Sequence, residues 1–502
     1  MNRQINHLAV VALVLLVACI VGTTYWQTWA VGGLAARQDN EIQRVAQFEI
    51  KRGLIYASDG KTVLAANVPR QVGGHTFYFR RYPQRGLYAH LVGYSTVARS
   101  QAGLEASEND YLTGSNSNLN TVLSRTLDRL RGVTVKGNSL VLTIRQRAQR
   151  VAMNALAGRC GAVVALEPST GKVLVLVSSP TYDPNLVEKH FNAIRPNGAC
   201  KGSAPLLNRA TDGLFTPGST FKLLTASAAL DSGRFTPQSP FYDPGYCTEY
   251  GKPVYNAGNP DQGGSEVFGS VTFAEGLQHS INSVFCNIGK AIGAEAILRY
   301  TKRYGFYSVP PLETPVNERA PSGLYNGSKL FVPKHPETQV DPGRLAFGQE
   351  RMLASPLQMA MVAATIANGG VVMRPHVVEK ALTPSGKTLT TFGSDKLGRA
   401  VKPGTAQEIT QMMVAAVQSG TGTNAQIPGL EVAGKTGTAE TGTAGLNNTW
   451  FVCFAPAQAP KVAVAVVLEQ QHGFGNQFAA PVAKQVLEAI LARGSNSNGT
   501  TS

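Results

Sequence analysis

The most specific pattern in this chain is Pro217-Gly-Ser219-Thr-Phe-Lys222-Leu-Leu-Thr-Ala-Ser-Ala-Ala-Leu230. Residues 221–230 are good helix formers, and the stop at Asp231-Ser-Gly233 ends a predicted helix of about three turns. Ser219 then lies in the first turn, and Lys222 lies one turn deeper on the same face. The stretch predicts a serine hydroxyl and a lysine amine side by side at a helix N-terminus.

Similar spacings elsewhere in the chain have a different local context. Ser58-Asp-Gly-Lys61 and Ser169-Thr-Gly-Lys172 both place glycine third, after an extended apolar run, which is typical of a turn between strands. A serine followed two residues later by an amide occurs at Ser107 and again at Ser280-Ile-Asn282. Only the second pair follows Ser219, so its position in the chain order selects it.

The third motif is Lys435-Thr-Gly437-Thr438, within residues 430–440. This stretch alternates like a strand, and Gly434 and Gly437 remove side chains where another backbone or a substrate comes close. An edge strand of this kind can pair with an extended peptide, and a lysine with two hydroxyls fits a carboxylate. Taken alone, the stretch is equally compatible with a surface hairpin.

The three motifs together suit acyl transfer. A serine hydroxyl is a weak nucleophile until a base accepts its proton, and a lysine with its ordinary pKa of about 10.4 is protonated at neutral pH. Burial and a neighbouring cation both lower a lysine pKa, and Lys435 is the candidate cation for Lys222. Backbone N–H groups at the start of the helix can stabilise the oxyanion that forms when Ser219 attacks a carbonyl.

In this order the motifs resemble those of the serine penicillin-recognising enzymes, the penicillin-binding proteins and serine β-lactamases. The N-terminal region is most similar to the actinobacterial penicillin-binding protein A group of class B penicillin-binding proteins, and the resemblance runs from about residue 8 to residue 493. The other stretches that carry it are Lys51-Arg-Gly-Leu-Ile55 with Asp59-Gly60, Gly161-Ala-Val-Val-Ala-Leu-Glu-Pro-Ser-Thr-Gly171, Ser179-Pro-Thr-Tyr-Asp-Pro-Asn185, Phe347-Gly-Gln349, Ser355-Pro-Leu-Gln-Met-Ala360 and Ala367-Asn-Gly-Gly370.

The resemblance implies catalytic roles for five residues. Ser219 is the acylated nucleophile, and Lys222 is its general base. Ser280 relays a proton to the leaving amine with support from Lys435, and Asn282 holds the substrate amide. No cofactor and no metal is implied.

The resemblance also implies a substrate-binding set of Thr436, Gly437 and Thr438. The two threonines bind the terminal carboxylate, and the backbone N–H groups of Ser219 and Thr438 form the oxyanion hole.

The implied activity is that of a peptidoglycan D,D-transpeptidase, which cross-links D-Ala-D-Ala stem peptides through a Ser219 acyl-enzyme and binds penicillin covalently. The alternative is a membrane-anchored serine β-lactamase, a D,D-carboxypeptidase or a β-lactam sensor. Glu313-Thr-Pro-Val-Asn317 loosely matches the glutamate-x-x-x-asparagine element of class A β-lactamases. Ile281, where many of those enzymes have aspartate, slightly favours the synthetic enzymes.

The N-terminus predicts a membrane anchor. Residues 8–26 carry no charge and are long enough to cross a bilayer as a helix. A cleaved signal peptide is the alternative, since small residues follow at 32–36. Basic residues on the two sides do not settle the orientation. The expected location, a single pass through the cell membrane with the catalytic domain outside, rests on the resemblance.

Length and composition fit a multidomain enzyme, with 502 residues of which 43% are hydrophobic. The predicted fold is α+β, an antiparallel sheet flanked by helices, with strands 450–455 and 461–468 paired and helices that open on Ser355, on Thr405 and at residue 481. The predicted parts are a cytoplasmic tail (1–7), the anchor (8–26), an N-terminal pedestal or dimerisation-like domain (27–150), a transpeptidase domain (151–493) and a disordered tail (494–502).

The net charge of +15 comes without a nucleic-acid-binding motif, so no nucleic-acid partner is expected. A solvated basic surface explains the charge most simply, and anionic lipid headgroups or wall polymers are the alternative. The family adds stem peptides, β-lactams, the cell membrane, a lipid-II-polymerising membrane glycosyltransferase, and division or elongation proteins as expected partners.

The six cysteines favour an oxidising compartment. Cys19 lies in the predicted anchor, and Cys453 lies in an apolar strand as a buried thiol. The other four allow three pairings. The preferred pairing joins Cys160 to Cys200 and Cys247 to Cys286, the latter bracing the loop before Ser280.

Overall fold

The computed structural model describes residues 2–25, 47–115, 135–195, 200, 204–259, 264–443 and 445–492. Its fold is α+β, with two large sheets and helices packed around them, as predicted. Predictions for residue 26, for the small residues at 32–36 and for the tail 494–502 lie outside the described residues. The bounds of the predicted domains remain predictions.

The N-terminal helix spans Asn2–Tyr25. Its segment His7–Tyr25 is long and apolar enough to cross a membrane, and none of it is buried against the rest of the chain. A signal sequence near an N-terminus can also meet these criteria of length and composition.

A first sheet of six strands joins the two parts of the chain. Two of its strands, Val378–Leu382 and Thr388–Thr391, come after the predicted domain boundary at residue 150 and pair with each other. Val378–Leu382 also pairs with Ser139–Leu142, which connects both strands to the rest of the sheet. The sheet therefore holds the N-terminal region against the later part of the chain. The remaining strands, in spatial order from Ser139–Leu142, are Ile55–Tyr56, Val63–Val72 and His75–Arg81.

The central sheet is antiparallel and has five strands. In spatial order they are Ala433–Glu440, Asn447–Ala455, Val462–Gln471, Gly161–Leu166 and Val173–Ser179. The second and third pair as predicted, with Trp450 opposite Val467. Helices cover both faces: Gln146–Leu156 and Gly475–Leu491 lie on one face, and Pro356–Ala367 lies on the other. Ala433–Glu440 is an edge strand, as the third motif predicted.

The other helices and small sheets build a second layer beside the central sheet. The remaining helices of five or more residues are Gly103–Ser107, Asn109–Thr113, Lys222–Asp231, Phe273–Gln278, Asn282–Ile292, Ala294–Arg303, Pro342–Ala346 and Pro403–Ser419. The small antiparallel pairs are Tyr94–Ser95 with Gln101–Ala102, Pro240–Asp243 with Gly269–Thr272, Tyr246–Glu249 with Lys252–Tyr255, Gly258–Asn259 with Gly264–Ser265, and Val371–Met373 with Lys396–Arg399, while Gly323–Asn326 lies between Lys329–Phe331 and Met352–Leu353.

One of the three predicted helix starts is correct and two are wrong. Ser355 caps its helix by accepting a hydrogen bond from Gln358 N. The next helix begins at Pro403 rather than on a capping box at Thr405, whose hydroxyl instead donates to Asp231 Oδ1 at 3.0 Å. The last helix begins at Gly475 and runs through Pro481, although proline usually marks a helix start.

Candidate active site

The Ser219 turn is held between two close backbone contacts. Gly218–Phe221 forms a single 3-10 turn that leads into the helix Lys222–Asp231. Gly218 has a φ of +51°, and a Cβ added there would lie 2.8 Å from Thr438 O. A Cβ on Gly348 would lie 2.4 Å from Gly218 O. Side chains at either glycine would displace Ser219, which explains the glycine of Phe347-Gly-Gln349.

The Lys222 amine joins the first motif to the second. Nζ donates to Ser280 O at 2.6 Å, to Ser280 Oγ at 3.3 Å and to Asn282 Oδ1 at 2.8 Å. Ser280 has a φ of +61°, a conformation that serine rarely adopts and that tends to occur at functional sites. This backbone directs both the carbonyl and the hydroxyl of Ser280 at one amine.

Burial shifts the pKa of both motif lysines. The side chain of Lys222 is fully buried, and desolvation followed by the charge of Lys435 holds its pKa well below the ordinary lysine value. The ring of Phe285, with its centroid 5.2 Å from Nζ, favours the charged form, but desolvation outweighs it. Burial lowers the pKa of Lys435 to about 7. Lys222 therefore loses its proton more readily than an ordinary lysine, which suits it to act as a base.

Two glycines allow the strand Ala433–Glu440 to fit against its neighbours. A Cβ on Gly437 would lie 2.9 Å from Pro217 O, so this glycine lets the strand reach the Ser219 turn. A Cβ on Gly434 would lie 2.5 Å from the ring of Phe451. Gly437 therefore meets another backbone, as predicted, whereas Gly434 makes room for an aromatic side chain.

The polar groups of the same strand face different surroundings. The Lys435 amine is fully buried and donates to Thr436 O at 3.1 Å. The Thr436 hydroxyl donates to Thr421 Oγ1 at 2.7 Å, and Thr438 Oγ1 accepts from Gly475 N at 3.3 Å. The hydroxyls of Thr436, Thr438 and Thr421 thus lie together at the cleft with the N-terminus of the helix Gly475–Leu491.

An open cleft of about 1080 Å³ brings the three motifs together. Its lining includes five predicted site residues: Ser219, Ser280, Asn282, Thr436 and Thr438. The other three lie behind this surface, since both motif lysines are buried and Gly437 packs against the Ser219 turn. Other polar and aromatic side chains line the cleft: Gln349 belongs to a stretch that carries the family resemblance, and Tyr255, Asn256, Arg344, Thr421 and Phe474 had no predicted role.

A buried carboxylate supports the second motif from behind, and sequence reasoning missed it. Asp243 is fully buried and accepts hydrogen bonds from Gly245 N at 2.9 Å, Phe268 N at 3.0 Å and the Asn256 amide at 2.8 Å, as well as from the Ser283 hydroxyl. Asn256 Oδ1 in turn accepts from Ser283 N at 3.0 Å. Ser283 directly follows Asn282, so this network fixes the start of the helix that carries Asn282.

Asp243→Asn is expected to slow acylation by penicillin about 10- to 100-fold, because small displacements of catalytic groups cost rates of this order. The amide places a donor where the carboxylate accepts from several N–H and O–H groups. The measurement is the acylation rate constant at a temperature where the thermal midpoint shows the variant folded. Glu337→Gln, the same change at an exposed carboxylate, is the control, and equal rates for both variants would contradict a positioning role for Asp243.

The structure contains the preferred disulfide pairing. Cys160 is bonded to Cys200, and Cys247 is bonded to Cys286. The second bond ties the strand Tyr246–Glu249 to the helix that begins at Asn282. Cys453 is a buried free thiol.

Glu313-Thr-Pro-Val-Asn317 lies away from the cleft. Glu313 Oε2 accepts a hydrogen bond from Val377 N at 2.9 Å, beside the first sheet. Asn317 lines a separate cavity with His90 and Tyr182. Neither residue lines the cleft that contains Ser219.

Comparisons with known proteins agree with this arrangement. A family model described as the penicillin binding protein transpeptidase domain matches residues 161–488, and one described as the penicillin binding protein A dimerisation domain matches residues 52–140. The peptidoglycan D,D-transpeptidase PbpA of Mycolicibacterium smegmatis is 34% identical over 99% of this chain and 100% of its own length. PbpA of Mycobacterium tuberculosis is 34% identical over 98% of this chain and 99% of its own length.

Solved structures are similar over most of the chain. The ceftriaxone acyl-enzyme of penicillin-binding protein A from M. tuberculosis aligns with a TM-score of 0.74 at 33% identity, covering 89% of this chain and 100% of that one. Its penicillin G acyl-enzyme aligns with a TM-score of 0.73 at 34% identity, covering 88% and 100%. With a matching family model over most of its length and full-length relatives at this identity, the chain belongs to the penicillin-binding protein transpeptidase family.

Proposed function

We propose that this protein is a peptidoglycan D,D-transpeptidase that forms a Ser219 acyl-enzyme with D-Ala-D-Ala stem peptides and passes the acyl group to an amine. The observation that carries the proposal is the buried Lys222 amine. It has a lowered pKa and is hydrogen-bonded to Ser280 and Asn282 behind the cleft that contains Ser219. The relatives named as peptidoglycan D,D-transpeptidases support the same activity.

Acylation begins when Ser219 Oγ attacks the carbonyl carbon of the penultimate D-Ala and its proton passes to the neutral Lys222 amine. The carbonyl oxygen becomes an oxyanion, which the backbone N–H groups of Ser219 and Thr438 stabilise. The C–N bond to the terminal D-Ala then breaks. The Ser280 hydroxyl, 3.3 Å from Lys222 Nζ, gives its proton to the leaving amine and takes up the proton that Lys222 received from Ser219.

The donor peptide binds along the edge strand Ala433–Glu440, which can add it as a further strand. Thr436 and Thr438 hold its terminal carboxylate, and Asn282 holds the amide before the scissile bond. An acceptor amine then attacks the ester, transfers its proton through Ser280 to Lys222 and releases Ser219. This second half-reaction is the reverse of the first with a different amine.

Lys435→Met is expected to move the acid limb of the acylation rate to higher pH. The positive charge of Lys435 disfavours a second charge on Lys222, so its removal raises the pKa of Lys222. Since the base must be neutral, the rate falls as the pH decreases through that pKa. The measurement is the penicillin acylation rate as a function of pH. An acid limb at the same pH in the variant and in wild type would contradict the coupling of the two lysines.

The hydrolytic alternatives differ in what attacks the ester. A β-lactamase needs a base that brings water to the acyl-enzyme. The candidate base in the sequence is Glu313, and it lies beside the first sheet. The experiment gives the full-length chain a D-Ala-D-Ala peptide with increasing amine acceptor and follows both products by mass spectrometry. The proposal expects the amine adduct to increase at the expense of the hydrolysed peptide. Hydrolysis alone at all acceptor concentrations would instead identify a carboxypeptidase.

The same proposal places the enzyme at the cell membrane. Residues 1–7 are the cytoplasmic tail, residues 8–26 are the single-pass anchor, residues 27–150 are the pedestal, and residues 151–493 are the catalytic domain outside the membrane. Most of the anchor lies in the helix Asn2–Tyr25. A partner that polymerises lipid II supplies the glycan strands whose stem peptides are cross-linked. Cell division or elongation proteins are the further partners of this proposal.

A further inference from the structure

A hairpin beside the cleft exposes tyrosine rings on one face. The strands Tyr246–Glu249 and Lys252–Tyr255 pair so that Tyr246 lies opposite Tyr255, with ring centroids 6.1 Å apart. These side chains are 42% and 58% exposed. The opposite face of the hairpin packs inward through Cys247 and Val254 against Phe347. One face therefore anchors the hairpin, and the other presents aromatic rings to solvent.

The hairpin turn adds a third tyrosine in a conformation that disfavours it. Tyr250 has a φ of +48° and Gly251 a φ of +74°, and a two-residue hairpin loop with both values positive strongly prefers asparagine or glycine at its first position. Tyr250 is nevertheless 81% exposed, so no burial compensates for the unfavourable backbone. An exposed tyrosine in an unfavourable backbone conformation does not stabilise the fold, which points to a role for Tyr250 other than folding.

The tyrosine face, meaning Tyr246, Tyr250 and Tyr255, carries no charge of its own. The strand residues between the tyrosines on this side are Thr248 and Pro253. The carboxylate of Glu249 is buried and pairs with Lys290 at 2.9 Å. Exposed rings next to hydroxyls suit a neutral ligand that has both apolar surfaces and hydroxyl groups.

The tyrosine face is continuous with the cleft. Pro253 and Tyr255 belong to the hairpin and also line the cleft. Tyr255 O accepts a hydrogen bond at 3.0 Å from the Asn282 amide. A ligand that leaves the cleft beside Tyr255 therefore reaches this ring first, and the ring of Tyr246 lies next to it.

We propose that the tyrosine face binds the sugar rings of the glycan strand to which the stem peptide in the cleft is attached. This inference rests on the proposed function, since the saccharide reaches the face as part of that substrate. Pyranose rings offer an apolar C–H surface that packs on an aromatic ring, and their hydroxyls and acetamido groups bond to tyrosine hydroxyls. The three tyrosines carry no charge, which matches a neutral sugar chain, while the exposed Lys252 of the same hairpin alternates with Pro253 and lies on the opposite face.

The test uses the full-length chain in a sugar-free detergent and chitotetraose, a tetramer of N-acetylglucosamine, as the probe. Wild-type protein is expected to bind it in titration calorimetry. Tyr246→Ala combined with Tyr250→Asn is expected to weaken binding by about an order of magnitude, since each aromatic contact contributes a factor of roughly two to ten. Tyr246→Phe keeps the ring and should retain most of the affinity. Asparagine is favoured in this turn, so the variant should fold.

A second readout separates the saccharide from the peptide. The double variant should cross-link glycan-linked stem peptides more slowly but use a soluble D-Ala-D-Ala peptide at the wild-type rate. Leu389→Ala, an exposed apolar residue 47% accessible on the first sheet, is the matched control and should change neither rate.

Three results would overturn the inference. The first is wild-type protein that does not bind chitotetraose. The second is a double variant that cross-links glycan-linked substrate as fast as wild type, and the third is a double variant that turns a dimeric chain into a monomer, which would make the face a protein interface. A wild-type chain that binds chitotetraose but is never acylated by penicillin would refute the proposed function and leave the saccharide site standing.

Discussion

Ser219→Ala is expected to abolish covalent labelling of the full-length chain by fluorescent penicillin. The oxygen that forms the ester is removed, and among the described residues no other serine precedes a fully buried lysine by three positions. Ser219 is only partly buried, so its replacement by alanine leaves the packing of the turn in place. Labelling is read on a denaturing gel, with the thermal midpoint as evidence that the variant is folded.

Ser169→Ala is the matched control for this experiment. Ser169 also precedes a lysine by three residues, but it lies exposed in the turn between the strands Gly161–Leu166 and Val173–Ser179. Its replacement should leave labelling unchanged. Residual labelling of Ser219→Ala, or loss of labelling in Ser169→Ala, would contradict the assignment of the nucleophile.

Lys222→Met is expected to reduce the penicillin acylation rate by a factor of about 10² to 10⁴, the usual contribution of a general base. Methionine fills a similar unbranched volume without the amine. Thermal stability should be kept or increased, because a lysine buried at a lowered pKa is itself a cost to folding. The measurement is the second-order acylation rate constant alongside the thermal midpoint.

Two further variants separate proton transfer from a positioning role for Lys222. Lys222→Arg keeps donors for Ser280 and Asn282 but cannot lose its proton at accessible pH, so it should be as slow as Lys222→Met. Lys172→Met removes the partly exposed lysine that pairs with Glu379 at 2.9 Å and should not change the rate. An arginine variant with wild-type acylation would show that Lys222 positions the site without acting as its base.

The parts of the site that sequence reasoning could predict are those encoded locally. Helix-forming residues after Ser219 placed Lys222 one turn away. The two glycines around Lys435 predicted close backbone contact, which the structure shows for Gly437 at Pro217, whereas Gly434 faces the ring of Phe451. The order of the motifs then selected Ser280 over Ser107. The first two of these inferences needed only residues within a few positions of one another, and the third needed only the order of the motifs along the chain.

The features that could not be predicted from the sequence depend on contacts between residues that are far apart in the chain. The local sequence around Asp243 is that of an ordinary strand. Only the fold brings its carboxylate within hydrogen-bonding distance of Ser283 and Asn256. Thr405 matched a helix cap, but tertiary packing directs its hydroxyl to Asp231. The first sheet likewise draws strands from both sides of residue 150, a pairing that no local pattern encodes.

The central claim is that Ser219 forms an acyl-enzyme that persists until an amine attacks its ester. Its most direct test is the intact mass of the full-length chain over time after a stoichiometric dose of penicillin, followed by peptide mapping. The account predicts a mass increase of one penicillin molecule, located on the peptide that contains Ser219 and persisting after the free drug is removed. An adduct on another residue, or rapid loss of the adduct with release of hydrolysed penicillin, would contradict it.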